Sequence, residues 1–151
     1  MKFNEKLKIL RKDQGLYCTD VAAYLYVEPR AVRSWEKGLN YPSAQLLMAI
    51  SKFYDVSMDE LLTDDMAELP ITPVAVQAVI PELKFGEKIY MMRKQLKIRQ
   101  AVMCDRMGVS VTSLERWESC EVLPSTQALM KVSKFFGVPI EELLFSEKEE
   151  A

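Results

Sequence analysis

The chain has 151 residues, 49% of them hydrophobic and 28% charged, the balance of a soluble globular protein, and its formal net charge is −2. It contains no histidine, which removes the commonest general base, the commonest zinc ligand and every Ser-His or Cys-His arrangement. No apolar run approaches the roughly 18 residues of a membrane span, charges occupy the start where a signal peptide needs an apolar stretch, and the three cysteines are far apart without C-x-x-C spacing; a cytoplasmic, non-enzymatic chain with free thiols and no cofactor, metal or small-molecule substrate is expected.

Apolar spacing and punctuation then set the elements. A first helix is predicted over 4–13, with Asn4 as its cap and Phe3, Leu7 and Leu10 at helical spacing; Gly15 ends it. A second, over 19–25, carries Val21, Ala22 and Leu25. The three-residue turn Tyr26-Val27-Glu28 leads to a third helix over 29–37, opened by Pro29, whose missing N–H suits a first helical position. The loop G-L-N-Y-P at 38–42 breaks the chain. Ser43 caps a fourth helix over 44–54, striped by Leu46, Leu47, Ile50 and Phe53, and a short fifth over 58–63 carries Met58, Leu61 and Leu62.

The same series then returns. Shifted by 82 positions, residues 3–63 lie on 85–145 without a gap: Arg11-Lys12 on Arg93-Lys94, Trp35-Glu36 on Trp117-Glu118, Pro42-Ser43 on Pro124-Ser125, Glu60-Leu61-Leu62 on Glu142-Leu143-Leu144. Both tryptophans fall on one repeat position. The charge divides accordingly. Residues 1–63 are net +1 and 85–145 net +2, whereas 64–84 are net −3 and 146–151 net −2, so the acidity lies outside the two copies.

A seven-residue helix, a three-residue turn and a second helix make a helix-turn-helix. In both copies the sequence resembles the domain of Cro and lambda-type phage repressors, the XRE family. The resemblance rests on Arg11, Val21-Ala22, Val27, Val32, Trp35-Glu36, Gly38, Pro42 and V-S-M-D-E-L-L at 56–62, and on Gln100, Gly108-Val109-Ser110, Leu114, Trp117-Glu118, Pro124 and V-P-I-E-E-L-L at 138–144. It implies an all-α chain of two five-helix, lambda-repressor-like domains in tandem, at 1–64 and 85–146, joined by a linker at 65–84. Arg11 with Glu36, and Arg93 with Glu118, correspond to a family ion pair tying the first helix to the end of the third. Trp35, Trp117, Phe53 and Phe135 read as core.

The resemblance also implies double-stranded DNA as partner, with recognition helices at 29–37 and 111–119 in the major groove and phosphates at the start of each second helix. In the first copy Arg30 and Arg33 can each offer two donors to a guanine edge, Ser34 faces outward, and Lys37 and Asn40 suit backbone, with Tyr41 a further contact. In the second copy Gln100 holds the family's helix-two glutamine position, which implies a phosphate contact and bracing of the recognition helix, and Arg99 precedes it. Thr112 and Ser113 can hydrogen-bond bases, Val111 can meet a thymine methyl group, and Arg116 is the charged candidate.

Each copy departs from the pattern in its own place. Cys18 stands where the glutamine is expected, Tyr26 replaces the turn glycine, and Ser119-Cys120-Glu121 replaces the K-G-L of the loop. A tyrosine forced to positive φ costs about 1 kcal/mol or more. The linker holds three prolines and an apolar run at 74–80 that is expected to dock on a domain, between domains or on a second chain. Extended, its 20 residues span up to about 65 Å, so one chain can reach half-sites about 34 Å apart as an intramolecular pseudo-dimer, with a homodimer the other arrangement. A sequence-specific DNA-binding transcriptional regulator of the repressor type is the expectation. The competing reading, from the near-neutral copies and missing contacts, is a protein-interaction module, an antirepressor or assembly partner that keeps the fold without reading DNA.

Overall fold

The computed structural model describes residues 1–74 and 83–145; most of the apolar run at 74–80 lies outside them. Ten helices and no strand occur among the described residues, in two compact units, Met1–Glu68 and Leu69–Ala151. Unit 1 holds α1 (Phe3–Asp13), α2 (Cys18–Leu25), α3 (Pro29–Glu36), α4 (Ala44–Tyr54) and α5 (Met58–Ala67). Unit 2 holds α6 (Phe85–Gln95), α7 (Gln100–Met107), α8 (Val111–Glu118), α9 (Thr126–Phe136) and α10 (Ile140–Leu144). Every helix of unit 2 begins 82 residues after its counterpart, so the sequence repeat is a repeat of folds.

The helix starts have local causes. Ser43 and Ser125 accept the amides of Leu46 and Ala128 at 3.3 and 3.2 Å, and Ser57 accepts that of Glu60 at 3.0 Å. Pro29 opens α3 as predicted. The first helix differs: it starts at Phe3, and Asn4 lies in its first turn with the side-chain amide donating to Glu36 O at 3.4 Å. The capping role falls to α5, which runs four residues beyond its expected end. There Asp65, buried, accepts the Phe3 amide at 2.8 Å, while Asp64 meets the terminal amine and Glu68 meets Lys2. Acids that read as linker charge are thus gathered at the positive end of α1.

The helix ends share one device. Among the described residues, four positions in each unit adopt positive φ, at Gly15, Tyr26, Gly38 and Asp55 and then at Lys97, Gly108, Cys120 and Gly137. The two sets coincide under the 82-residue shift, and each position is glycine in one unit and a larger residue in the other. All four follow the C-terminal turn of a helix, where the next amide closes back on an orphan carbonyl, as in Val27 N to Ala22 O and Val109 N to Cys104 O, at 3.0 and 3.1 Å. Tyr26 does take the strained conformation its position implied, at φ 57°, and is 96% exposed.

Each unit has its own core. Phe3, Leu7, Val32, Trp35, Leu47 and Leu61 are buried in unit 1, and Phe85, Ile89, Leu114, Trp117, Leu129 and Leu143 in unit 2. Lys88 is also buried; its ammonium donates to the carbonyls of Glu142 and Phe145 at the C-terminal end of α10, as Lys6 does to Glu60 O in unit 1. Phe135 is buried as expected, but Phe53 is only half-buried, against Tyr24 at 4.5 Å. The end of α9 also carries a piece of chain that, among the described residues, α4 lacks. Residues 69–74 lie on the end of α9, with the Val74 amide donating to Phe135 O at 2.7 Å, Lys134 Nζ to Leu69 O at 2.6 Å and Ile71 buried. Among the described residues no such strip seats on the matching end of α4.

Candidate nucleic-acid interface

The surface under test is built on α2 and α3, and again on α7 and α8. Each second helix of the pair is held from behind. Val32 and Trp35 are buried, as are Leu114 and Trp117, so the remaining face of each helix is turned to solvent. The far end is clamped by the first helix: Arg11 Nε and its terminal nitrogen donate to the two oxygens of Glu36 at 2.7 and 2.9 Å, and Arg93 does the same to Glu118 at 2.7 and 2.9 Å. The third donor closes on Leu16 O and Ile98 O, at 2.9 and 3.1 Å. These four side chains, at most 12% exposed, are spent on position and are unavailable for DNA.

The start of α2 and of α7 joins the same clamp. Gln100 Nε2 donates to Glu118 at 3.1 Å, so in this structure it braces the recognition helix, and its half-buried side chain leaves its remaining polar groups for other partners. Cys18, which departs from the glutamine pattern, keeps a weaker form of the contact, its thiol 3.9 Å from Glu36. Arg99 precedes α7 and is exposed, next to first-turn amides that no side chain caps. Tyr17 holds the matching place before α2, 75% exposed, and was not among the expected contacts; its register with Arg99 under the 82-residue shift is the signal that points to it.

On α3, Arg30 and Arg33 are exposed, Ser34 is half-buried, and Lys37 follows as the exposed capping residue. Among the described residues no ion pair engages Arg30, Arg33 or Lys37. Asn40 is exposed in the loop beyond, beside Leu39 at 74%. Tyr41 does not project with them: its hydroxyl donates to Asp65 at 2.5 Å, and burial, then that bond, raises its pKa.

The α8 face is chemically different. Val111 and Thr112 are exposed at its first turn. Ser113 is half-buried and its hydroxyl lies 2.8 Å from that of Ser110, which caps the helix by accepting the Ser113 amide at 3.1 Å. Arg116 is exposed, but Glu121 from the following loop stands 3.8 Å from its Nε. That acid is placed by the helix end itself, since the Glu121 amide donates to Arg116 O at 3.0 Å. The partnership is visible in sequence only once the left-handed turn at Cys120 is known. Among the described residues no group of three or more metal-binding side chains occurs, and no helix is long and apolar enough to cross a membrane.

The family comparison falls once on each of the two units that carry these surfaces. The helix-turn-helix family matches the chain twice, over residues 7–61 and 89–143. Among curated proteins, the chain is 45% identical over 65 residues to the helix-turn-helix transcriptional activator BcrR of Enterococcus faecalis, a stretch covering 43% of this chain and 32% of that protein. It is 36% identical over 61 residues to the cryptic phage CTXphi transcriptional repressor RstR of Vibrio cholerae, over 40% and 54% of the two chains. To repressor protein C2 of Salmonella phage P22 it is 43% identical over 49 residues, over 32% and 23%. The matched stretches thus span about half of one relative and a third or less of the other two.

Proposed function

Since the chain belongs to the helix-turn-helix family through both of its units, we propose that it is a sequence-specific DNA-binding transcriptional regulator with α3 and α8 as recognition helices. The observation that carries this reading is the exposed row Arg30, Arg33 and Lys37 on a helix clamped from behind by Arg11–Glu36 and Trp35. Rigid support leaves the guanidinium groups free to present paired donors to guanine edges, and Lys37 with Asn40 to reach the backbone. In unit 2, Val111 and Thr112 offer a methyl and a hydroxyl surface to the groove, Ser113 and Arg116 contribute alongside, and Arg99 and Gln100 meet phosphate. The two surfaces differ, so a site read by both units of one chain is not a true palindrome. Such a pseudo-dimer and a homodimer are the two ways to pair recognition helices. The activator and repressor names of the relatives support regulation of transcription, a role we place in the cytoplasm and without catalysis.

Selection of bound duplexes from a random pool, followed by affinity across a salt series, tests the reading. An enriched motif and a steep negative slope of log K against log salt are expected. No motif and a flat response would return the protein to the interaction-module reading. One observation favours that second reading for unit 2 alone: Glu121 pairs with Arg116 on the face where phosphate would have to approach.

A further inference from the structure

The linker is not a free 20-residue tether. Only Glu68 separates the last helical residue of unit 1, Ala67, from Leu69, the first residue of the strip seated on unit 2. The strip is fastened at both ends, by Lys134 Nζ to Leu69 O at 2.6 Å and by the Val74 amide to Phe135 O at 2.7 Å, with Ile71 buried between. Phe135 O has no helical donor of its own, because the residue four positions on is Pro139; the strip supplies the missing amide. Pro70 and Pro73 restrict the backbone before it docks, which lowers the entropy lost on seating.

The consequence concerns reach. The ends of a flexible 20-residue linker spread over roughly 25 Å, about seven base-pair steps at ~3.4 Å each. From Ala67 to Leu69 the chain extends about 7 Å, about two such steps. A second recognition helix on so short a tether is supplied at high effective concentration only where the span matches, and its supply collapses elsewhere.

Building on the DNA-binding reading, we propose that Ile71, Val74 and Lys134 form a spacing determinant: by fastening the strip to unit 2 they set the separation of the two half-sites at which one chain binds. The test uses the full-length chain and duplexes carrying its two selected half-sites, with the spacing stepped one base pair at a time. Wild-type affinity should peak at one spacing and fall about tenfold within two base pairs of it. Ile71→Asp should flatten that profile while leaving affinity for each half-site alone unchanged, and the Val74 amide should exchange with solvent faster. Should Ile71→Asp unfold unit 2, seen as loss of its half-site, Val74→Pro removes the same anchor by deleting the donated N–H. A flat wild-type profile, or a peak that the released variants keep, overturns the spacing role while leaving the DNA reading intact. No enriched half-site for either unit overturns both.

Discussion

Gly86 of α6 and Cys120 beyond α8 share one space: a Cβ on Gly86 would lie 2.8 Å from Cys120 Sγ and 2.0 Å from Trp117 O. In unit 1 the sizes are exchanged, for Asn4 holds the position of Gly86 and Gly38 that of Cys120, and a Cβ on Gly38 would meet Asn4 Cγ at 3.3 Å. Each unit fills the gap between its first helix and the end of its recognition helix from the opposite wall. Gly86→Ala therefore pushes α6 off a backbone carbonyl and should cost about 1–3 kcal/mol, read as a lower urea midpoint for unit 2. Asn4→Ala in unit 1 should cost less, because nothing is driven into backbone.

The turn between α2 and α3 should respond to glycine. Positive φ costs an L-residue about 1–2 kcal/mol, and the greater freedom of unfolded glycine returns about half of the gain. Tyr26→Gly is expected to stabilise unit 1 by about 0.5 kcal/mol, and Gly108→Ala to destabilise unit 2 by about 1 kcal/mol. Thermal melts of the two variants against wild type give the sign directly.

Removing one member of the clamp should be severe. Glu118 is 7% exposed and depends on Arg93 for two hydrogen bonds, so Arg93→Met strands a buried carboxylate, at about 3–5 kcal/mol. Arg93→Lys should recover only part, since an ammonium cannot make the paired contact. Arg93→Met with Glu118→Leu should lie closer to wild type than Arg93→Met alone. Denaturant midpoints of the three variants decide it.

Alkaline stability should differ between the units. Burial, reinforced by Glu36, pushes Tyr54 from its ordinary value of 10.0 up to about 12. The neutral phenol is thus favoured in the folded state, and the stability it provides below pH 10 is lost as pH rises from 10 toward about 12. Tyr41 shifts in the same direction. Unit 2 carries Phe136 and Leu123 at these positions, although burial pushes its Cys104 thiol up in the same direction. Between neutral pH and pH 11, therefore, unit 1 should lose the more stability, read as the larger fall in its melting temperature, and Tyr54→Phe should narrow the gap.

DNA binding should be sensitive to the charges that differ between the faces. Arg30→Ala and Arg33→Ala should each cost about 1–3 kcal/mol at defined base positions. Glu121→Gln should strengthen binding by releasing Arg116, and steepen the salt slope by about 0.9 if the freed side chain meets phosphate. Titrations of a selected duplex at several salt concentrations check all three variants; unchanged affinity for Glu121→Gln would assign Arg116 no role at the phosphates.

Much of this architecture was legible without coordinates. The 82-residue shift, the serine caps, Pro29 and the apolar stripes are local signals, each acting within a turn of helix, and they located ten helices. The clamp was legible through the resemblance to the phage-repressor domain, whose ion pair between first and third helices Arg11–Glu36 and Arg93–Glu118 match. The exchanges were less so: Tyr26 stood out where a turn glycine was expected, but Lys97, Cys120 and Asp55 at positive φ could be recognised only by reading each copy against the helix ends of the other. Phe53 looked like core because its spacing matches that of Phe135, yet it lies half-buried against Tyr24.

By itself, then, the sequence determined the repeated fold, the placement of α3 and α8 and the divergence of the residues they display, since helix periodicity, capping and turn chemistry are written within a few residues. Tertiary structure decided which of those residues remain available. Tyr41 is drawn to Asp65 and Arg116 to Glu121, the bracing of Gln100 falls on Glu118, and residues 69–74 are seated on α9 rather than spanning freely. Hydrogen bonds and ion pairs depend on distance in space, and side chains 18 or 24 positions apart become neighbours only when the helices that carry them pack.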